Sequence, residues 1–376
     1  MTRQEVAEVL LDNKTGQAAL SADQLGALTG LRFVAALMVL LFHFGASWAE
    51  VSALPYPIVN LLKNGYLGVS IFFILSGFII AHQYIWRMND RSDLAQFAAA
   101  RFARLYPVYA LALLWELPFV WRELGLVEIF TVPLLLQSWT LPGSSLSLAW
   151  LMQAWTLSVE LFFYLTAPLM LRFLRNSSSG QLISVGVIAA AAMVLFAVPT
   201  FGGSVVVQPA LRWAPIPLMR SFEFLFGVVL ALLWKRHEDF LSYLHRPAIQ
   251  AALVCAIALP LCLSRELRLV SIAMVFAGLL IVQLASLKTW LARILASRPL
   301  LLLGEASYAL YILQLPVRQT LELFLPLTWA RLANLPVAIS ISIGVFLFWE
   351  EPSRRWLRSA LGASGQKVCP TASIGA

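Results

Sequence analysis

Arg32 and His43 lie eleven residues apart in an otherwise apolar run, LRFVAALMVLLFHF, and that spacing is the first chemical signal in the chain. At 100° per residue the separation comes within roughly 20° of three whole helical turns, so both side chains share one face, about 16 Å apart along the axis. A neutral imidazole in an apolar run can take a proton from a hydroxyl, and a guanidinium forks onto phosphate oxygens. A snorkelling arginine with a hydrogen-bonded interior histidine is the plainer alternative, and these residues alone leave it open. Arg101 and Arg104, in ARFARLYP, repeat the theme at i, i+3 and point the same way from a helix end. Ordinary basic flanking of a membrane helix explains them equally well. Glu160, in WTLSVELFFY, is a carboxylate among bulky apolar residues and needs a cationic or hydrogen-bonding partner. It is expected in the layer of His43, where it would orient the imidazole; a structural ion pair is the alternative. Arg220 and Glu223 are spaced to pair with each other. Glu305, Ser307, Tyr308, Tyr311, Gln314, His82 and the Glu350-Glu351-Pro352 segment read as structural.

The elements that must hold these residues are membrane spans. Of 376 residues, 60% are apolar and 12% charged, about half the charged share of soluble domains. Apolar runs near the 20 residues that cross a bilayer as a helix recur throughout, at about 27–49, 66–86, 104–121, 155–174, 183–201, 214–234, 247–263, 269–287, 300–325 and 333–350. The short alternating segments of a membrane barrel are missing. The expected fold is therefore an all-α integral membrane protein, about ten transmembrane helices in one bundle. Residues 126–141 are apolar enough to span, but contain Pro133 and run into Leu141-Pro142-Gly143. Charge decides. With both termini inside and 126–141 not crossing, 18 of the 27 lysines and arginines fall on inner segments and 7 on outer ones. A crossing would move Arg172, Arg175, Lys235 and Arg236 outside, against the positive-inside rule. Residues 126–141 are thus expected to be an outer re-entrant or interfacial segment, with Trp121, Trp139, Trp150 and Trp155 at the interface.

Residues 1–24 are acidic and basic by turns and read as a cytoplasmic tail rather than a signal peptide. Residues 25–358 form one transmembrane domain, and residues 359–376 a second cytoplasmic tail. Cys255, Cys262 and Cys369 have neither metal-ligand spacing nor an even disulfide framework. The net charge of +8 fits inner loops better than nucleic acid. Embedded Arg, His and Glu also fit a transporter or flippase for a lipid-linked or small polar substrate, although no two-halves repeat is visible.

Several segments together make the chain resemble the acyltransferase-3 family of membrane acyltransferases. They are Leu31-Arg32 through Phe42-His43, GYLGVSIFFILSGF at 65–78, Arg101 to Pro107, Trp155 to Tyr164, RSFEF at 220–224 with Gly227, Gly304 to Tyr311, and Glu351-Pro352. They occur in the family's order and cover about residues 25 to 358. The resemblance implies an O-acyltransferase that moves an acyl group, usually acetyl, from acyl-CoA to a hydroxyl of a glycan or related acceptor, without a metal. It carries the roles of the first-span arginine and histidine onto Arg32 and His43, and of the paired arginines onto Arg101 and Arg104. On that reading Arg32, Arg101 and Arg104 hold the donor's phosphates, His43 is general base and Glu160 supports it. An acyl-histidine intermediate stays open. Gln314 stands where the family usually has histidine, and Trp155-Thr156-Leu157 where it usually has Trp-Ser-Leu. No fused extracytoplasmic domain is expected. The location implied is a bacterial inner membrane.

Overall fold

The computed structural model describes residues 25–45, 54–88, 90–139, 150–196, 200–201, 204–205, 214–237, 242–286 and 288–361. The N-terminal tail 1–24, Leu141-Pro142-Gly143, Cys369 and the C-terminal tail beyond Leu361 lie outside them. The described residues are almost wholly helical. α1 is Gly26–Phe44. α2 (Tyr56–Lys63) runs through a 3-10 turn at Asn64–Leu67 into α3 (Gly68–Tyr84). α4 is Arg91–Val120, α5 Leu126–Thr131, α6 Trp155–Leu174, α7 Ser179–Leu195 and α8 Ile216–Arg236. α9 is Pro247–Leu263, α10 Leu267–Leu284, α11 Trp290–Leu295, α12 Arg298–Glu305, α13 Ser307–Phe324 and α14 Leu327–Val345. A π-helical turn at Phe346–Glu350 joins α14 to α15 (Glu351–Ala360). A two-residue antiparallel ladder pairs Thr200 with Val205 and Phe201 with Ser204.

Seven of these helices, counting continuous ones together, are long and apolar enough to cross a membrane. α12 and α13, bent by 59° at their junction, make an eighth. The 17-residue helices α7 and α9 add two shorter apolar helices, each about 26 Å long and close to the hydrocarbon thickness. Apolar helices thus occupy all ten expected positions. Many large side chains point outward, among them Leu165, Phe173, Val187, Phe324 and Phe348. Such a surface is unfavourable in water and ordinary against lipid.

The segment expected not to cross does not form a spanning helix. α5 is six residues, about 9 Å, and Leu135 then takes a left-handed backbone (φ 58°) before a 3-10 turn at Gln137–Trp139. Of the four tryptophans expected at the interface, Trp121 and Trp139 are exposed. Trp155 is buried, and half-buried Trp150 donates to the Leu113 carbonyl at 3.0 Å.

Packing at the centre is set by small residues. Gly77 of α3 and Gly227 of α8 face each other so closely that a Cβ on either would stand 2.0 Å from a carbonyl oxygen of the other helix, Phe224 O or Ile74 O. Membrane helices without water to drive them together associate through such close backbone approach. The Arg220–Glu223 pair, 2.7 Å apart as the spacing predicts, is buried next to this contact. Arg220 lies 5.6 and 5.7 Å from the Phe73 and Trp155 ring centroids.

α4 differs from its sequence reading in a way that matters for function. The third span was expected to open near 104, leaving Arg101 and Arg104 at a helix end. In the structure Asp90 and Asp93 form a reciprocal capping box, the Asp93 N–H donating to Asp90 Oδ1 at 2.8 Å, and the helix starts at Arg91. Arg101 therefore sits about 15 Å into a 30-residue helix. The cap and an exposed first turn carry α4 beyond its apolar part.

Candidate active site

Four of the five residues singled out by type and spacing line one cavity. Arg32 enters from α1, Arg101 and Arg104 from α4, and Glu160 from α6. Apolar residues of α3, from Val69 to Ile80, make one wall, and Tyr308 and Tyr311 of α13 stand opposite. The open space at this cavity amounts to about 750 Å³, counting the solvent at its mouth. It is polar and cationic around the arginines, and aromatic around Phe72, Phe73 and Tyr311.

The three arginines are held differently. Arg101 is buried in an aromatic cage, its guanidinium carbon 5.2, 5.4 and 5.7 Å from the ring centroids of Tyr84, Phe97 and Tyr164. It donates to the Tyr84 hydroxyl at 3.2 Å and to Gln83 Oε1 at 3.4 Å. Such a cage offsets part of the cost of burying the charge. Arg32 and Arg104 are half-buried, and neither makes a hydrogen bond or close ion pair to a described residue. Arg32 is instead surrounded at longer range by Arg104 and by three carboxylates, Glu160, Glu305 and Glu350.

Glu160 belongs to this basic cluster. It accepts a hydrogen bond from the Tyr164 hydroxyl one turn along α6, and Tyr164 in turn stacks against Arg101. The two are i, i+4 on one face, and that face turns to α4. His43 is not among the residues lining the cavity. It occupies the last turn of α1, between Phe42 and Phe44, and its charged neighbour is Arg318 of α13. Arg318 lies over the Phe44 ring at 5.1 Å and pairs with Glu322 at 2.7 Å. The structure thus places Glu160 with the arginines, whereas its sequence context suggested a partnership with His43.

α13 closes the site. Tyr308 donates to the Leu105 carbonyl at 2.7 Å and Tyr311 to the Gln153 carbonyl at 3.4 Å. Gln314 is buried, donates to the Tyr311 carbonyl at 2.9 Å, and leaves Oε1 without a described donor. The His82 ring lies 5.3 Å from that of Trp234, tilted by 50°, and Lys235 donates to the His82 carbonyl. One polar group escaped the sequence reading, and another, read there as structural, lies beside the arginines. Glu116 of α4 is fully buried facing Gln319, although WELP looks like a span end. Glu350 is buried in the π turn, close to Arg104, Arg354 and Arg32. A carboxylate within an apolar run was the available signal for both.

The sequence model of the acyltransferase-3 family, described as an acyltransferase domain, matches residues 25–349. The chain is 30% identical over 316 residues to acyltransferase MdmB of Streptomyces mycarofaciens, covering 78% of this chain and 79% of that protein. It is 25% identical to peptidoglycan O-acetyltransferase OatA of Listeria monocytogenes and 26% identical to the putative peptidoglycan O-acetyltransferase YrhL of Bacillus subtilis, covering 87% of this chain in each case. The chain spans only about half the length of those two relatives, 55% and 54%. No solved structure matches it. With the family's segments in order along nearly the whole helical bundle, the chain belongs to the acyltransferase-3 family and is a membrane acyltransferase.

Proposed function

We propose that the protein transfers an acyl group, acetyl in the simplest case, from acyl-CoA to a hydroxyl of a glycan or similar acceptor. The observation that carries this reading is the cavity itself: Arg32 and Arg104, whose forks make no hydrogen bond to a described residue, line it together with Phe72, Phe73 and Tyr311 inside an apolar bundle. Guanidinium forks match phosphate oxygens bidentately. A donor with phosphates at one end and a long neutral arm at the other fits that polarity. The arm runs from the arginines past Phe72 and Tyr311 toward the end of α1. His43, about 16 Å from Arg32 along the helix, then meets the thioester.

In the transfer, His43 takes the acceptor hydroxyl proton as the oxygen attacks the thioester carbonyl. The carbon–sulfur bond breaks, CoA leaves as thiolate, and the imidazolium returns the proton to it. Glu160, bonded to Tyr164, balances Arg32 and Arg101 and keeps the arginine forks oriented. The relatives named as O-acetyltransferases of peptidoglycan support a glycan acceptor. Purified protein with acetyl-CoA is expected to release CoA thiol slowly, and faster when a hydroxyl-bearing glycan is added, with an acetyl ester as product. Binding of acetyl-CoA without thiol release, under any acceptor, would count against acyl transfer from this donor and favour transport.

The basic ends of the helices are assigned to the cytoplasm of a bacterial inner membrane, with both termini on that side. The support is the distribution of lysine and arginine. Single cysteines at Glu123 and Asn176, both exposed, on a background without native cysteines, should react with an impermeant thiol reagent from opposite sides. Labelling of both from one side would overturn the assignment.

A further inference from the structure

The C-terminal helix carries an arginine that the site described so far leaves unused. α15 packs along α4. Arg354 and Arg358 are one turn apart on α15 and share a face. Arg354 is engaged: it pairs with Glu351 and lies 4.0 Å from Glu305. Arg358 is not. Its electrostatic neighbours are Arg354, Tyr84, Arg101 and Glu351. Glu351 is already committed to Arg354 and Arg355. Among the described residues, neither Arg358 nor Arg101 makes a close ion pair with a carboxylate. Each also leaves a buried Nε without an acceptor. Arg358 and Arg101 are neighbouring cations on two packed helices, each with an unused donor, and they repel unless an anion lies between them. Holding like charges together is a cost, and a bound phosphate removes it.

Building on the acyl-CoA reading above, we infer that α15 is the second jaw of a phosphate clamp, with Arg358 gripping the donor's nucleotide phosphates from the side opposite Arg101 and Arg104. The π turn at Phe346–Glu350 aims this jaw. It breaks the regular rise of α14 and lays α15 against α4, with Trp356 outward and exposed.

The test uses the full chain in detergent and two probes, acetyl-CoA and S-acetylpantetheine, which keeps the thioester arm but lacks the nucleotide phosphates. Wild-type protein is expected to bind acetyl-CoA much more tightly. Arg358→Ala should weaken acetyl-CoA by about 10- to 100-fold, as for one charge-assisted hydrogen bond, and leave S-acetylpantetheine unchanged. Arg358→Lys should recover part of the loss. Arg355→Ala, at an exposed residue paired with Glu351, should bind both probes as wild type does. Equal loss for both probes, or no loss for acetyl-CoA, would overturn the clamp while leaving the donor assignment standing. Wild-type protein that fails to prefer acetyl-CoA would overturn the donor reading, and the clamp with it.

Discussion

With His43 replaced by alanine, the purified protein should keep its helical content and membrane insertion while acyl transfer falls by about 10²–10⁴-fold, the range for losing a positioned general base. The loss should appear in kcat, with the KM for the donor changing little. The reason is the imidazole's place. It sits in the last turn of α1, next to Phe42 and Phe44 and beyond the cavity that gathers the arginines. A residue outside the donor's anionic end should not govern how that end binds. His43→Gln, which keeps much of the volume and a hydrogen-bonding group, should be no better than alanine. Near-normal turnover of His43→Ala would leave His43 as a packing residue beside Arg318.

Arg104→Ala should behave in the opposite way, raising the apparent KM for acyl-CoA by about 10- to 100-fold, the worth of a charge-assisted contact, with a smaller effect on the acceptor. Arg104 is the cleaner of the α4 pair to test, because its fork makes no hydrogen bond to a described residue. Arg101→Ala should also raise the donor KM. It would in addition loosen Tyr84, Phe97 and Tyr164 around an emptied cage, and so lower thermal stability. Lysine at 104 should rescue only in part, since it restores the charge without the planar fork. Calorimetric titration of acetyl-CoA separates the cases: unchanged affinity in both Arg104→Ala and Arg32→Ala would take these arginines out of the donor site.

Much of this was legible in the residues because a bilayer imposes simple rules. Apolar run length marked ten helices, and Pro133 with the basic clusters at 172–175 and 235–236 kept residues 126–141 from being counted as another. Embedded charge pointed to Arg32, Arg101, Arg104 and Glu160, which the fold brings to one cavity. What stayed hidden depends on which way a helix face turns. Glu160 joins the arginines because α6 presents the face it shares with Tyr164 to α4, and neither periodicity nor charge reveals which neighbour a face meets. The aromatic cage of Arg101 joins residues from three helices, so no local window contains it. Arg358 looked like one more flanking cation in SRRWLRSA, and only the packing of α15 on α4 makes it a neighbour of Arg101.

The π turn at Phe346–Glu350 has a bearing on how this chain can vary in length. Such a turn amounts to one extra residue carried inside a helix. Deleting one residue there would let α14 run into α15 as an unbroken α-helix, and everything downstream would rotate by about 100° and retreat by about 1.5 Å. Glu350 would swing away from Arg104 and Arg32, and Arg354 away from Glu305, while every side chain of α15 kept its identity. The joint therefore works as a phase setting: substitutions at Leu347 or Phe348, which point outward, are absorbed, but a change in residue count is not.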